Sequence, residues 1–483
     1  KFFIFENLIF TLLKITNQKM QMKLITALTC LIIGHQTFGQ NRIEKIDSLL
    51  TSMYDSGKLN GNVLIAEKGK VIYENSFGLA NENTKEKLNE NSIFELASVS
   101  KQFTAMAIVI LKEKGKLNYD DEMSKFIPEL SYYKGITIRN LLNHTGGLPD
   151  YMVLMDSLFD KSKIATNKDI ISLFAKYKPD TLFKPNTKWE YSNTGYALLA
   201  SIIEKVSGMS YGNYLNKVIF EPLKMKNTFV YTRRYAPKKI SNYAYGYVYS
   251  DSLKKYLLPD DIEETKMVLW LDGIVGDGCV NSTVGDLLKW DRALYTDKLI
   301  SNESKKEIFT AAELNDKTKT KYGFGWFIDD NPDFGKLTSH SGGWPGYITY
   351  IDRHIDNDKT IIILQNHDNV SIPIKALRSI LYDKPLPVTK ERKEVKLTSE
   401  QLEKFIGTYE IQKDEEIKIS FTNGQLFEQL TGQNAYPLFA ESEFFFFLKV
   451  ADAQIQFQQN DKGIITSLTI FQSGNKVKAE KTD

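Results

Sequence analysis

Cysteine is nearly absent from the chain, with Cys30 and Cys279 the only two among 483 residues. A disulfide framework is therefore excluded. Stability has to come from a buried core, which a chain long enough for roughly two to four domains can supply. Histidine is scarce as well. The five present form no HExxH arrangement and no CxxC accompanies them, so neither a metal site nor any other cofactor is expected. An excess of one charge is missing too: 62 basic residues face 60 acidic ones, a net of +2. That balance removes the electrostatic case for a nucleic-acid or polyanion partner. No low-complexity tract and no internal repeat is found. What remains, 42% hydrophobic and 25% charged residues, is the composition of a soluble globular protein.

The N-terminal stretch is the exception. "MQMKLITALTCLIIGHQTFGQ" (20–40) carries one basic residue, Lys23, an apolar run from Leu24 to Gly34, and the small residues Thr37 and Gly39 ahead of Gln40. This is the pattern of a secretory signal peptide, too short to span a membrane. It predicts a periplasmic or secreted protein with no stable membrane insertion once 1–39 is removed. Residues 1–19 begin without Met and are read as lying upstream of the true start. Taken literally, "FFIFENLIFTLLKI" would be a membrane-associated segment. A lipid anchor on Cys30 fits less well, because Thr29 is larger than such sites take and the apolar run continues past it. With the signal gone, Cys279 has no disulfide partner.

Beyond the signal, residues 41–57 have helical spacing with Ile43, Ile46, Leu49, Leu50 and Met53 on one face. "GNVLIAEKGKVIYENSFG" (61–78) reads as a β-hairpin around a Lys-Gly turn. Helical patterns follow at 98–114, 136–144, 168–177, 194–206, 211–220 and 283–295. Strands return at 322–328, 346–352 and 359–366, and a helix over 371–382 closes the unit. A sheet built from both ends of this stretch, with helices inserted between, is an α/β or α+β arrangement. The expected domain runs from 40 to 383. "DKPLPVTKERKEVK" has two prolines, a run of charges and no apolar period, so 384–397 reads as a linker. A short helix at 398–406 and five short β-like runs then predict a small all-β domain over 398–483.

Chemistry concentrates at "ELASVSKQFTAMAIVILKEKGKL" (95–117). Ser98 and Lys101 stand at the start of an apolar helix, where unpaired N–H groups and the helix dipole favour a developing negative charge. Lys101 lies one turn on, within reach of the hydroxyl, and a neighbouring amine is one way to activate a serine. The Ser-x-x-Lys pattern recurs at Ser252 and Ser473, and alone it describes a helix cap plus a surface lysine. Only at Ser98 does the lysine lead directly into a buried helix. "KWEYSNTGYALLASIIEKVSG" (188–208) places Tyr191 and Asn193 at the start of a second apolar helix, with Ser192 or Asn193 as N-cap. Tyr-x-Asn also recurs, at Tyr73, Tyr211 and Tyr214. "LTSHSGGWPGYITY" (337–350) sets His340, Gly342, Gly343 and Trp344 at a strand start, where paired glycines let a substrate backbone approach.

In order, Ser-x-x-Lys, Tyr-x-Asn and His-x-Gly resemble the three motifs of the penicillin-recognising serine hydrolases: class C β-lactamases, D-alanyl-D-alanine carboxypeptidases, D-aminopeptidases and related esterases. "ITIRNLLNHTGGLPDY", "IFEPLKMKNT" and "NSTVGDLLKWDRAL" look like further segments of that family, and the likeness covers about residues 43–385. It implies a β-lactamase/transpeptidase-like α/β (α+β) fold, an antiparallel sheet flanked by helices plus a helical subdomain. The C-terminal unit resembles the lipocalin-like barrel carried by some members. By the same resemblance, Ser98 would form an acyl-enzyme, and Lys101 and Tyr191 would move its proton. Asn193 would bond Lys101 and the substrate amide, and the N–H groups of Ser98 and Gly343 would make an oxyanion hole. The substrate would be a small molecule or peptide carrying an ester or amide. Where β-lactamases of this kind have a lysine in the third motif, this chain has His340, mostly neutral at pH 7. That departure points to an esterase or peptidase with weak β-lactamase activity.

Two rivals stand beside this reading. A penicillin-binding or sensor-like protein would acylate without efficient turnover. "GMSYG" (208–212) matches the G-x-S-x-G elbow of α/β-hydrolases around Ser210, but that motif needs a preceding strand and here a helix precedes it. The remaining histidines take plainer roles: His144 as a helix terminator, His354 and His367 as solvated residues near strand ends. Cys279 lies near the cleft without a partner to activate it, and the Phe444–Phe447 run reads as a strand buried on both faces.

Overall fold

The computed structural model describes residues 41–386 and 392–482, apart from 413–414, 423, 432–434, 449–452 and 473–474. The expected signal peptide, Cys30 and part of the expected linker lie outside the described residues. The chain divides into two compact units, the first ending at Leu386.

The first unit is organised by a six-stranded antiparallel sheet. Its strands lie in the order Phe327–Asn331, Gly335–Trp344, Tyr347–His354, Lys359–Gln365, Gly61–Glu67, Lys70–Phe77. The first strand of this unit thus pairs with its last, Val63 opposite Ile363 and Ile65 opposite Ile361. Both faces of the central strands are covered, which is why "GNVLIA" and "TIIILQ" are buried without alternation. Leu64, Ala66, Ile362 and Leu364 face the main core, while Val63, Ile65, Ile361 and Ile363 face Ile46, Leu50, Leu377 and Ile380. Those last four belong to the helix over 41–55 and to the helix Ile374–Leu381. Ile43, expected on the buried face, is 39% exposed. Pro345 and Gly346 (φ 87°) make the tight turn that brings Trp344 opposite Tyr347.

Helices fill the space between the strands of the sheet in sequence. Every residue from Lys101 to Leu111 in the helix Lys101–Glu113 is buried. The helix Asn193–Ser207 packs against it, capped by Ser192 Oγ accepting from the Gly195 N–H (3.2 Å) and ended by Gly208 at φ 69°. Ser210 therefore sits between two helices, with no strand before it, and the elbow geometry is absent. Residues 211–220 are an α-turn, Tyr211–Leu215, running on into a π-turn. The strand expected at 322–328 begins only at Phe327. Gly325 (φ 77°) turns the chain where it presses on the start of the Lys101 helix, a Cβ there falling 2.9 Å from the Lys101 carbonyl oxygen.

Two histidines expected in solvent are buried. His354 is 0% exposed and holds Asp352 Oδ2 (2.9 Å) and the Tyr382 hydroxyl (2.9 Å). His367 is 5% exposed, stacked on Tyr256 and 3.2 Å from Glu82. Apart from Asp352, two residues from His354, these partners are remote in sequence. A second buried cluster ties the sheet to the helix Val284–Ala293: Arg353 Nε donates to Asp291 Oδ1 (2.6 Å), whose Oδ2 accepts from Arg292 Nε (2.7 Å).

The second unit is a closed eight-stranded antiparallel barrel preceded by a short helix, Ser399–Glu403, with a capping box at Thr398 and Gln401. Its interior is filled by Phe405, Tyr409, Leu426, Phe446, Ile455, Phe457 and Leu468. Sequence pattern shows five of the strands; Gly407–Gln412, Tyr436–Ala440 and Asn475–Lys481 complete the closure. Phe446 points inward, and its neighbour Phe447 is buried on the other face against Phe439. No helix among the described residues is long and apolar enough to cross a membrane.

Asp291→Ala would leave the Arg353 guanidinium, 1% exposed, without its carboxylate. A loss of about 3–5 kcal/mol is expected, read from the midpoint and slope of urea unfolding. A loss under about 1 kcal/mol would mean the pair does not join helix to sheet.

Candidate active site

Ser98 does not occupy the first turn of the buried helix as the sequence suggests. It lies in a 3-10 turn, Ala97–Ser100, immediately before the helix that starts at Lys101. Ala97 holds φ 47°, a left-handed conformation that costs a residue with a side chain about 1 kcal/mol or more. The surroundings enforce it. The Thr349 hydroxyl donates to the Leu96 carbonyl (2.8 Å), tying the turn to the sheet, and Ser100 Oγ accepts from the Val280 N–H (3.0 Å).

Lys101 is 0% exposed, and its amino group has three acceptors: Ser98 Oγ at 3.0 Å, Asn193 Oδ1 at 2.9 Å and the Asp277 carbonyl at 2.8 Å. An ammonium has three N–H donors and no acceptor, so this set satisfies one completely. Three distant segments meet there: the Ser98 turn, the first residue of the Asn193 helix and the loop Gly276–Cys279. The loop is fixed in turn by Thr104 Oγ1 donating to the Gly276 carbonyl (2.6 Å) and by Tyr151 donating to Asp277 Oδ2 (2.9 Å). Cys279 holds φ 69° and its thiol, which burial pushes well up, is 3.2 Å from the Ile274 carbonyl.

Tyr191 packs beside this centre. Lys101 Nζ stands 4.9 Å from the centroid of its ring, and the His144 ring lies 4.4 Å away on centroids. His144 does end a helix, at φ 62°, but its Nδ1 also accepts from the Ser192 N–H (3.1 Å), so it anchors the segment carrying Tyr191 and Asn193. Burial, with Lys101 and His340 next, pushes its imidazole well down. The ring is neutral with its proton on Nε2.

His340 was expected among the substrate-binding residues; the structure turns it away. Residues of Gly335–Trp344 alternate across the strand, which puts His340 inward, 1% exposed, while Ser341 and Gly343 face out. Its Nδ1 lies 2.6 Å from the Ser341 carbonyl and its Nε2 lies 2.9 Å from the Tyr322 hydroxyl. A carbonyl can only accept, so Nδ1 carries the proton and Nε2 accepts from Tyr322. Burial first and the Lys101 charge second push this imidazole down to about 3. Both ring nitrogens are spent on the protein.

The two glycines after it differ. A Cβ on Gly342 would fall 2.2 Å from the Leu96 carbonyl oxygen and 2.3 Å from Thr349 Oγ1, so only glycine lets the strand touch the Ser98 turn. A Cβ on Gly343 would meet nothing within 4 Å. Gly343 and Trp344 line a cavity of about 510 Å³, counting its open part, together with Ser98, Asn193, Asp277 and Cys279. Glu95, Tyr151, Asp272 and Met152 complete much of its wall. Of the sequence-derived residues, Ser98, Asn193, Gly343 and Trp344 thus line one cavity. Lys101 lies against Ser98 beneath it, and Tyr191 lies beside Lys101. Glu95, Asp277, Tyr151 and His144 were missed in these roles. Only the glycine-flanked "GDGCV" offered a local hint, a loop shaped for close approach. Among the described residues no cluster suited to a metal ion is present.

The chain resembles known proteins in sequence and fold. Residues 46–379 match the family model described as Beta-lactamase, and 391–481 match one described as Domain of unknown function (DUF3471). Penicillin-binding protein 4* of Bacillus subtilis is 41% identical over 450 residues, covering 92% of this chain and 99% of that protein. Among solved structures, the octameric penicillin-binding protein homologue from Pyrococcus abyssi aligns with a TM-score of 0.62 at 23% identity, over 90% of this chain and 99% of its own. The D-amino acid amidase from Ochrobactrum anthropi SV3, complexed with L-phenylalanine amide, aligns with a TM-score of 0.58 at 23% identity, over 70% and 97%. These two likenesses are of fold.

Gly342→Ala should lower the melting temperature by several degrees, whereas Gly343→Ala should leave it within a degree or two, as read by calorimetry. Acid behaviour follows from the buried histidines. His340 is neutral when folded but titrates near 6.5 when unfolded, so its stabilising contribution is full above about pH 6.5 and is lost as pH falls toward 3; His144, also pushed down by burial, acts in the same direction. His340→Gln should flatten the fall of unfolding free energy across that window by up to about 1.4 kcal/mol per pH unit. An unchanged slope would mean the ring takes up its proton in the folded state.

Proposed function

We propose a hydrolytic reaction for this chain, which belongs to the β-lactamase family: an ester or amide carbonyl is attacked by Ser98, giving an acyl-enzyme that water then resolves. The observation that carries this reading is the Lys101 amino group, buried and 3.0 Å from Ser98 Oγ. A buried apolar helix has no structural use for that lysine.

The three neighbours of Lys101 suggest its part. Its amino group lies within hydrogen-bond reach of Ser98 Oγ, Asn193 Oδ1 and the Asp277 carbonyl. As an ammonium donating to all three, it is a fixed cation that lowers the cost of an anion beside it. Tyr191, whose ring centroid lies 4.9 Å from Lys101 Nζ, is the base that takes the serine proton and later hands it to the leaving group. Asn193 holds the lysine and meets the substrate amide. The N–H groups of Ser98 and Gly343 stabilise the oxyanion, typically the largest electrostatic term in acyl transfer. Trp344 and Gly342 shape the cleft edge.

The substrate is an ester or amide of the D-amino-acid or peptide kind, the class named for the amidase that shares this fold. β-Lactams are poor substrates in this reading. The third motif offers His340, neutral and turned inward, where a cation would be needed to hold a carboxylate. The family relationship and the leader-like sequence at 20–39 support an exported enzyme.

The full chain should hydrolyse p-nitrophenyl acetate, and Ser98→Ala should lower kcat/KM by about 10³-fold or more with the fold intact by circular dichroism. Activity that survives in Ser98→Ala would overturn the assignment. A burst of one equivalent without turnover would replace the hydrolase with a protein that only acylates. Nitrocefin should be turned over far more slowly than p-nitrophenyl acetate, and comparable rates would remove the explanation offered for weak β-lactamase activity.

A further inference from the structure

Charge is unevenly distributed around the cavity that holds Ser98. Among the lining residues are three carboxylates, Glu95, Asp272 and Asp277, and no lysine or arginine. Two of the three are already engaged. Asp272 accepts from the N–H groups of Arg234 (2.6 Å) and Tyr235 (2.9 Å) and from Arg234 Nη1 (3.1 Å). Asp277 accepts from the Tyr151 hydroxyl. Glu95 is different. Its carboxylate has no hydrogen-bond or ion-pair partner among the described residues.

The absence is not for want of a fixed position. Glu95 ends the short strand Phe94–Glu95, which pairs with Val280–Ser282 and places the side chain three residues before Ser98 on the same wall. The nearest cations are committed elsewhere: Arg233 Nη2 to Asp260 (2.5 Å), Arg234 Nη2 to Asp260 (2.7 Å) and Arg234 Nη1 to Asp272. Carboxylates without partners are costly to bury, and this one is kept open to the cavity.

We propose that Glu95 receives an ammonium group of the substrate, so that the site takes amides or esters carrying a free amine near the scissile carbonyl. A substrate carboxylate in this position would add a fourth negative charge, whereas an ammonium supplies the missing partner. Burial, then Asp272, pushes the Glu95 carboxyl up to about 7, with Arg234 and Arg233 opposing and Asp277 adding to it. The electrostatics of the wall thus agree with a group waiting for a cation. This inference rests on the hydrolytic reading for its scissile bond, but the charge preference can be measured without chemistry.

Two measurements test it. In the first, kcat/KM is compared at pH 7.5 for D-alanine p-nitroanilide and its N-acetyl derivative, in wild type and in Glu95→Gln. Wild type should favour the free amine by about tenfold or more, and Glu95→Gln should bring the ratio near one. The ratio is internal to each protein, so a general loss of activity does not move it. A wild-type ratio near one, or one that Glu95→Gln leaves unchanged, overturns the proposal. In the second, Ser98→Ala is titrated calorimetrically with D-alanine amide and N-acetyl-D-alanine amide. Tighter binding of the free amine, abolished by adding Glu95→Gln, upholds the proposal even if p-nitrophenyl acetate is inert, in which case the hydrolytic reading alone fails. Equal binding of the two amides overturns it whatever the turnover.

Discussion

The site depends on one buried amine. Lys101 has no solvent to satisfy it, so every one of its donors must find an acceptor inside the protein. The three it finds come from segments far apart in sequence: its own turn at Ser98, the helix start at Asn193 and the loop at Asp277. Removing any of them would leave a buried donor unpaired. The lysine therefore fixes the relative positions of the groups around the serine.

That arrangement is held from outside by the sheet and the helices it supports. Strand Gly335–Trp344 reaches the Ser98 turn because Gly342 has no side chain, and Thr349 on the next strand bonds the turn directly. The left-handed conformations at Ala97 and Cys279, both on the cavity wall, are tolerated because packing on either side leaves the chain no alternative. Burial on both faces of the central strands makes the sheet a stiff support for this strain. The same sheet decides the chemistry of its third motif: strand alternation turns His340 inward, where burial keeps it neutral, and exposes Gly343 to the cavity.

Much of the fold was legible because its elements carry strong local patterns. The hairpin at 61–78, the wholly buried helix after Lys101 and the capped helix after Ser192 all follow from apolar period and cap chemistry. Less was legible where a neighbour overrides the pattern. The strand before Phe327 is shortened where Gly325 meets the Lys101 helix, and Ser98 leaves the helix for a tighter turn. His354 and His367 looked solvated because Tyr382, Glu82 and Tyr256 are remote in sequence, and Asp352, two residues from His354, is buried with it only once the sheet is covered. Barrel strands such as Tyr436–Ala440 were missed, being too short for period alone to mark.

By itself the sequence determined the family, most of the elements and the candidate residues of the site, because motif spacing and apolar period are local properties of the chain. Tertiary structure alone decided which groups meet and in what state. It gave Lys101 its three acceptors, withdrew His340 from the cleft, set His144 behind Tyr191 and left Glu95 without a partner among the described residues. Those outcomes depend on burial and on distances between residues remote in sequence. Both arise only when the sheet closes one end of the first unit against the other.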